Sequence, residues 1–307
     1  MTEKPSPKDS ADAIRVSVIV PTMAAPERRH EIERAIWSIR NSSARPIVII
    51  VVVNGTRFDR DICDWLQLQP DISYFYRETP SQVKATLFGR SKVATEYFAF
   101  LDDDDEYLVG ATDRKVAALA AVCDADYVVT NGYRHLLGKD ELLYGSLGSV
   151  RLNPLRQLMD YSWLNSGNNL FRSTGIGEDC FFDLPKFAEW TWLAFSLCLK
   201  NKMPVVVEDP TVRIHDTPKS ASKSKPYVLE YISLFRRMLS HDVPIPVEKA
   251  LKRKLAAAYH DSSVLEMADR RFARAWMLHC RSLTFISGWK YLSYSRHLLL
   301  CWTSIGK

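Results

Sequence analysis

The sequence predicts an α/β fold in which a mainly parallel sheet is flanked by helices. The main observation is that short β-branched runs alternate three times with helical patterns over residues 16–101. This alternation is typical of βαβ units, whose crossovers are right-handed and whose strands end at one edge of the sheet. The second observation is length: 307 residues accommodate one large α/β domain with an added segment, or two domains.

The first three predicted strands are defined by apolar runs that end at turn signals. Residues 16–20 are a β-branched run closed by Pro21 and Thr22, and residues 47–53 are apolar throughout, as in a strand covered on both faces. We expect Thr22, Asn54 and Asp102 to lie along a common crevice at the strand ends. Further strands are predicted over residues 72–76 and 97–101, and helices over residues 27–40, 59–68 and 81–94.

The second half of the chain has a less regular pattern. Glycines mark residues 133–149 as a hairpin or loop, and residues 216–225 are rich in Ser, Lys and Pro, which makes them a candidate lid or domain boundary. From residue 227 onward the pattern is helical. Strands are predicted over residues 126–130 and 204–207, and helices over residues 111–123, 187–200, 251–259, 264–278 and 289–302.

These patterns divide the chain into a polar, disordered N-terminus over residues 1–13, an α/β domain over residues 14–225 and a helical region over residues 226–307. Composition fits a globular protein, with 47% hydrophobic and 25% charged residues. The net charge of +5 is unevenly placed: residues 226–307 hold 13 Lys and Arg against 6 Asp and Glu, a surplus of 7, so the rest sums to −2.

The six cysteines have no metal-binding or redox spacing, which favours free thiols in a reducing compartment. The N-terminus lacks the apolar core of a signal peptide, and no stretch reaches the roughly 18 apolar residues that a membrane span needs. We therefore expect a cytoplasmic protein.

Five consecutive carboxylates, Asp102 to Glu106, directly follow the fourth predicted strand. Such a run repels itself unless it is solvated or meets a cation, so a solvated acidic turn is one interpretation. The position at the end of a strand in an α/β sheet favours the other interpretation, a divalent metal site.

Four short motifs follow one another along the chain: Val-Ile-Val-Pro-Thr at 18–22, Phe-Leu-Asp-Asp-Asp-Asp at 100–105, Ala-Glu-Trp at 188–190 and Val-Arg-Ile-His at 212–215. In these motifs the chain resembles the inverting glycosyltransferases with a GT-A fold that are often called family 2. The resemblance spans roughly residues 15–225. It implies a GT-A fold with a C-terminal helical extension, and transfer of a sugar from a nucleotide-sugar donor to a hydroxyl of a glycan or lipid-linked acceptor by direct displacement.

The resemblance assigns the acidic run as a D-x-D motif with a divalent metal, Mn²⁺ or Mg²⁺. It implies that Asp102 faces the ribose of the donor, Asp103 makes a second contact, and Asp104 and His215 hold the metal. An imidazole ligand favours Mn²⁺ over Mg²⁺. An ordinary loop histidine is the alternative for His215, and Asp105 and Glu106 are expected to be solvated neighbours.

Glu189 matches the position of the base that deprotonates the acceptor hydroxyl. The family commonly has Asp preceded by Glu here, whereas this chain has Ala188 before Glu189. A carboxylate stabilised by a helix N-terminus is the structural alternative. Asp183 and Glu178 are rival candidates for the base.

Binding of the donor nucleotide and diphosphate is predicted at the ends of the first two strands. An aspartate is common in relatives at the end of the second strand, where this chain has Asn54, whose amide can both donate and accept. The predicted contacts are Pro21, Thr22, Asn54 and Lys84, with Arg28 and Arg90 as further cations available to phosphates.

The predicted acceptor contacts are Trp163, Asn168, Asn169 and Trp190, which combine aromatic faces with amides; core tryptophans are the alternative. The aromatic and basic residues of the tail suit either a peripheral position on the inner face of an anionic membrane or packing within the protein or against another subunit.

Other functional classes are less compatible with the sequence. A dehydrogenase would need a glycine-rich turn after the first strand, and Pro21-Thr22-Met23-Ala24-Ala25 has no glycine. A phosphatase with an aspartate nucleophile would need its D-x-D motif on the first strand. No nucleic-acid-binding module is present. A non-catalytic nucleotide-sugar-binding or scaffolding relative remains the alternative.

Overall fold

The structure, a computed structural model, describes residues 15–216 and 223–303, with side chains up to residue 300. The predicted disordered N-terminus and most of the predicted lid lie outside the described residues. The chain divides into two compact units, one that ends at Thr217 and one that begins at Pro218. The predicted boundary after residue 225 stays a prediction.

The first unit is a mixed sheet flanked by helices, which confirms the predicted fold class. Its described strands run in the order β3-β2-β1-β4-β8-β6-β9-β5, and β7 pairs with β6. They are β1 (Val16–Thr22), β2 (Ile47–Asn54), β3 (Ile72–Arg77), β4 (Tyr97–Phe100), β5 (Glu106–Tyr107), β6 (Tyr127–Leu136), β7 (Lys139–Leu142), β8 (Asn169–Arg172) and β9 (Pro204–His215).

The helices of this unit cover the sheet that the apolar strands form. Helix α1 buries Ile32, Ala35, Ile36 and Ile39, the residues whose spacing predicted it. In α3, Gly89 packs so closely on β1 that an added Cβ would lie 2.4 Å from Ile19 Cγ2. The helices are α1 (Arg29–Asn41), α2 (Arg60–Gln67), α3 (Gln82–Arg90), α4 (Ala111–Ala120), α5 (Gly148–Leu152), α6 (Pro154–Leu158) and α7 (Glu189–Leu199).

The first half of the sheet is parallel, as predicted, and its pairing fixes the site. Strand β1 lies between β2 and β4, with Ile19 opposite Ile50 on one side and Phe100 on the other. The carboxyl ends of these three strands therefore meet at one edge, so that Thr22, Asn54 and the acidic run are neighbours.

The second half of the sheet is mixed, and the predicted strand ends there are wrong. Strand β6 continues six residues beyond Thr130, and residues 204–215 form the single strand β9. The two strands are parallel but change register between Thr130 and Gly132, a β-bulge that accommodates Pro210. The extra length of both strands brings His135 opposite His215.

The second unit is helical. Its described helices are α8 (Lys225–Leu239), α9 (Ile245–Ala268), α10 (Phe272–Leu283) and α11 (Leu292–Thr303). The predicted break between residues 259 and 264 is wrong, because α9 is continuous there and buries Ser262 and Ser263 along with its apolar residues. The fully buried Glu266 is ion-paired with Lys225, Arg271 and Arg274. None of the described helices is both long enough and apolar enough to cross a membrane.

Candidate active site

The acidic run lies in a turn between β4 and β5, at the edge where the parallel strands end. The turn is closed by a hydrogen bond from the Asp105 amide to the Asp102 carbonyl, at 3.2 Å. Because β1 and β4 are neighbours in register, the end of β1 reaches the same turn. There the Thr22 hydroxyl donates to Asp103 Oδ2 at 2.5 Å, and both side chains are buried.

Three carboxylates of the run lie close enough together to hold one metal ion. Asp102, Asp104 and Asp105 each offer an oxygen, and these atoms are within 4.8 Å of one another. Asp105 is only 5% exposed, so the expectation that it is a solvated neighbour is wrong. An all-oxygen set of this size fits Mg²⁺ or Mn²⁺.

The electrostatics of the run also fit a cation. Burial raises the pKa of Asp102 above its ordinary value, and the charges of Asp104, Glu189 and Asp103 raise it further. Burial likewise raises the pKa of Asp105, together with the charges of Asp104 and Asp102. For Asp102 and Asp105 the neighbouring negative charges thus outweigh the positive charge nearby, and a divalent ion would compensate them.

Two arginines of the α1 region supply the positive charge that the turn does have. Arg28 lies 3.0 Å from Asp103 Oδ1 and donates to Asp104 Oδ2, also at 3.0 Å. Burial alone would lower the pKa of Arg28, but the Asp103 and Asp104 charges hold it above its ordinary value. Arg34 donates to the Asp104 carbonyl. The sequence offered Arg28 only as a phosphate contact, and its pairing with the acidic run was not predicted.

His215, at the end of β9, is tied to the acidic run through its backbone. Its amide donates to Asp105 Oδ1 at 2.9 Å, whereas its ring nitrogen Nε2 lies 3.1 Å from Glu106 Oε1. Burial lowers the pKa of His215, and the charge of Arg34 lowers it further, so the imidazole is neutral near pH 7. Its ring is not among the groups of the carboxylate trio, and its role as a metal ligand stays a prediction.

His135 and Arg213 complete the surroundings of His215. Sequence reasoning missed His135, and it named Arg213 within a motif without giving it a role. The rings of His135 and His215 are 5.0 Å apart, and His135 Nδ1 lies 2.6 Å from Asp140 Oδ1. Arg213 donates to Glu106 and to Asp140. Glu106 is therefore paired with Arg213 and His215, and the expectation that it is merely solvated is wrong.

Glu189 is the first residue of α7, and its charge acts on Asp102. The preceding residue, Ala188, has a left-handed backbone with φ of 56°, a conformation that costs an alanine free energy relative to glycine. Burial raises the pKa of Glu189 to about 7. A carboxylate with this pKa accepts a proton effectively near neutral pH. The rival residues Asp183 and Glu178 are exposed.

The four predicted nucleotide contacts outside the acidic run differ in exposure. Pro21, Thr22 and Asn54 are buried, while Lys84 is exposed on the first turn of α3. The Asn54 amide donates to the Thr22 carbonyl at 2.9 Å, and its oxygen accepts from the Ser81 amide at 3.0 Å. The structure therefore shows Asn54 as a brace between the end of β1 and the residue that caps α3.

Gln82, the first residue of α3, was missed by sequence reasoning. Its amide donates to Asp102 Oδ1 at 3.1 Å. Its position after Ser81, which caps the helix, was the available signal, because a polar side chain at that place faces the strand ends.

Three of the four predicted acceptor contacts are in the interior. Trp163 is 0% exposed, and its Nε1 donates to the Pro154 carbonyl at 3.0 Å. Asn168 and Asn169 are also fully buried, and each donates its amide to backbone carbonyls. Binding of the acceptor by these three residues stays a prediction.

Trp190, the fourth predicted acceptor contact, is half-buried beside Glu189. Its ring meets Phe100 edge-on, with 5.3 Å between centroids. Of the four predicted contacts, it is the one whose surface remains accessible next to the proposed base.

Solved structures with the same fold include S. aureus TarS. The 1–349 fragment of TarS in complex with UDP-GlcNAc superposes with a TM-score of 0.59 at 17% sequence identity, covering 80% of this chain and 72% of that one. The same fragment in complex with UDP gives a TM-score of 0.55 at 18% identity, covering 80% and 71%. At these identities the likeness is one of fold.

A relative in sequence is the GalNAc(5)-diNAcBac-PP-undecaprenol beta-1,3-glucosyltransferase of Campylobacter jejuni. It is 32% identical over 130 residues, which are 40% of this chain and 37% of that protein. The chain thus matches little more than a third of the length of this relative. The sequence model described as glycosyl transferase family 2 matches residues 17–173, just over half of the 307 residues. By this match, with the strand ends and acidic turn in the order described, the chain belongs to glycosyl transferase family 2.

Proposed function

We propose that this protein is an inverting glycosyltransferase that moves a sugar from a nucleotide diphosphate to a hydroxyl of a glycan or lipid-linked acceptor. The observation that carries the proposal is the placement of Glu189 beside the carboxylate trio, with a pKa of about 7. A proton acceptor and a cation-binding site thus adjoin each other at the edge of the sheet. In a family 2 chain this combination serves sugar transfer.

Each residue of the site has a proposed part in the reaction. Asp102, Asp104 and Asp105 would hold the divalent ion, which would neutralise charge on the departing diphosphate. Glu189 takes the proton of the acceptor hydroxyl as that oxygen bonds to the anomeric carbon. The bond from that carbon to the diphosphate oxygen breaks on the opposite face, so the configuration inverts. Trp190 offers an aromatic face to the acceptor sugar.

The donor and the acceptor class are proposed from the relatives. Since TarS binds UDP-GlcNAc according to the name of its structure, a uridine diphosphate sugar is the first donor to test. The name of the Campylobacter relative describes a polyprenyl-diphosphate-linked glycan as its acceptor, so a lipid-linked glycan is the first acceptor class.

A panel of nucleotide sugars with and without Mn²⁺ tests the proposal. We expect one uridine diphosphate sugar to raise the melting temperature and to be hydrolysed slowly in the presence of metal. Asp104→Asn should abolish this dependence on metal, whereas the exposed control Glu141→Gln should keep it.

Two other outcomes would contradict the proposal in different ways. Absence of any donor response at saturating metal would contradict assignment as a glycosyltransferase. Tight donor binding without hydrolysis or transfer to any glycan would support the alternative, a non-catalytic nucleotide-sugar-binding relative.

A further inference from the structure

The helical unit contains a cavity that the proposed reaction does not use. Its volume is about 330 Å³, and His260 forms one wall. The His260 ring stacks on Tyr291 at 4.1 Å and meets the edge of Tyr294 at 4.9 Å. The remaining lining residues come from one short stretch of chain: Lys290, Tyr291, Ser293, Tyr294 and His297.

The polar groups of this cavity favour an anion with several oxygen atoms. Lys290 and His297 are exposed, and both can donate to such a ligand. Burial lowers the pKa of His260, the Asp261 charge raises it, and Lys290 lowers it. The Asp261 carboxyl is the acidic group that acts on His260; burial raises its own pKa, and the charges of His260 and Lys290 oppose that rise. The class of ligand that matches a lysine, imidazoles and hydroxyls is a phosphate group.

Exposed apolar side chains directly adjoin the cavity residues in the chain. Ile286 is 99% exposed, Trp289 73% and Leu292 57%. Leu292, Arg296 and Leu299 follow at spacings of four and three residues, which places them on one face of α11. Single exposed apolar residues are ordinary, but Ile286, Trp289 and Leu292 recur at every third residue, as an apolar stripe next to the residues that line the cavity.

The charge of the residues around the apolar stripe indicates which kind of partner covers it. Residues 282–303 contain Lys290 and Arg296 and no Asp or Glu. A second copy of the chain would therefore bring like charges together across a symmetric contact. A soluble phosphate would leave Ile286, Trp289 and Leu292 in water. An anionic membrane satisfies both requirements, because it covers apolar side chains at the interface and offers phosphates beside them.

We propose that residues 286–300 dock on an anionic membrane, with Ile286, Trp289 and Leu292 in the interface and a lipid headgroup phosphate in the cavity beside Lys290 and His297. Tryptophan and long apolar side chains are stable at headgroup depth. Each basic residue near such a surface strengthens partitioning by about fivefold. This surface belongs to the helical unit and shares no residue with the carboxylate trio, so membrane binding is measurable without donor or acceptor.

Flotation of the full chain with lipid vesicles tests the docking. We expect binding to phosphatidylcholine vesicles that contain phosphatidylglycerol and none to pure phosphatidylcholine. The double variant Ile286→Ser/Trp289→Ser should lower partitioning by at least about tenfold, through lost apolar burial. The double variant Lys290→Ala/His297→Ala should lower it by about tenfold as well, through the lost phosphate contacts.

Matched controls separate the proposed surface from general effects. Leu68→Ser removes an 81% exposed leucine from the other unit, and Arg253→Ala removes an exposed arginine from α9. Both should bind vesicles nearly as wild type. An equal loss in Arg253→Ala and the Lys290/His297 variant would overturn the headgroup site, since only long-range charge would then matter.

Two further results would overturn the membrane assignment. One is that the protein self-associates in the absence of vesicles and that the variant Ile286→Ser/Trp289→Ser no longer does. This result would assign the surface to a contact with a second copy of the chain. The other is stabilisation by inorganic phosphate alone that Lys290→Ala/His297→Ala abolishes, with no binding to anionic vesicles. That result would assign the cavity to a soluble anion.

Discussion

Arg28 donates to Asp104 at 3.0 Å, on a carboxylate of the trio that is proposed to hold the metal ion. The same guanidinium is paired with Asp103. A bound divalent ion and Arg28 therefore compete for the negative charge of Asp104, and this competition gives the first prediction.

Arg28→Gln should bind Mn²⁺ about tenfold more tightly, or by about 1.4 kcal/mol, because Asp104 loses its competing cation. Its free energy of unfolding without metal should fall, since Asp103 and Asp104 repel each other without compensation. Titration of Mn²⁺ by electron paramagnetic resonance and urea unfolding measure the two effects. The control is Arg29→Gln, at the next residue in the chain, which removes an ion pair with Glu33 away from the acidic run. It should change neither the Mn²⁺ affinity nor the free energy of unfolding. Unchanged or weaker Mn²⁺ binding in Arg28→Gln would contradict the competition.

Glu189→Gln should leave the dissociation constant of the donor unchanged and lower the transfer rate by about 10²- to 10⁴-fold, because the amide cannot accept the proton. Isothermal titration and a transfer assay measure the two quantities. Asp183→Asn and Glu178→Gln are the controls and should transfer normally. Normal turnover in Glu189→Gln would mean that one of these two rival carboxylates is the base.

The pH dependence of kcat/KM in the wild-type protein is a separate test of Glu189 as the base. Burial raises its pKa to about 7, and the proposed base is active only when deprotonated. Below that pH, kcat/KM should fall about tenfold for each pH unit, and above it the profile should level off. A profile that stays flat down to the ordinary range of a glutamate would contradict the role of this residue.

The variant His215→Asn tests whether the His215 imidazole is a ligand of the metal ion. If the imidazole binds the metal, affinity for Mn²⁺ should fall about tenfold, and affinity for Mg²⁺ should fall less, because Mg²⁺ prefers oxygen. The neighbouring histidine provides the control: His135→Asn should leave both affinities within about twofold. Equal and small effects of the two variants would leave His215 as a residue that supports Asp105 through its backbone.

Lys115 predicts how stability depends on pH. It is fully buried, donates to the Gly167 carbonyl and lies 4.0 Å from the centre of the Tyr107 ring. Burial lowers the pKa of Lys115 well below its ordinary value, and the charge of Arg114 lowers it further. Between the folded and the unfolded pKa the unfolded chain binds more protons, so stability rises with pH by up to about 1.4 kcal/mol per unit.

Lys115→Met should remove the part of the increase in stability with pH that Lys115 contributes. The exposed control Lys92→Met should leave that increase unchanged. Urea unfolding from about pH 7 to about pH 9, below the ordinary lysine pKa, measures the slope. Equal slopes in wild type and Lys115→Met would show that Lys115 is charged in the folded protein.

The first half of the fold was predictable because its strands are continuous apolar runs and its turns follow directly. The second half was not, and Asn131-Gly132 shows why. This pair is a strong turn signal, yet the Asn131 side chain accepts from the amides of Gly132 and Tyr144, which replaces the ladder bonds that a bulge loses. Strand β6 therefore continues to Leu136.

The site was predictable where chemistry depends on residue type and order, as for Asp102, Asp104 and Glu189. The site was not predictable where tertiary packing determines whether a side chain is buried or reaches the site. Trp163 and Trp190 have the same side chain, so residue type alone does not tell which is buried. The Trp163 N–H donates to the Pro154 carbonyl, and this hydrogen bond stabilises the ring in the core. Pairing of Arg28 with the acidic run depends on how α1 follows β1, which spacing alone does not determine.

The brace formed by Asn54 has a consequence for how donor preference can evolve in this protein. An aspartate at this position would oppose the Thr22 carbonyl with a negative charge, because it lacks the amide that now donates there. A single substitution would therefore disturb the end of β1 before it could contact a different nucleobase. New base selectivity at residue 54 requires compensating changes at Thr22 or in the loop at Ser81, so these positions should vary together rather than one at a time.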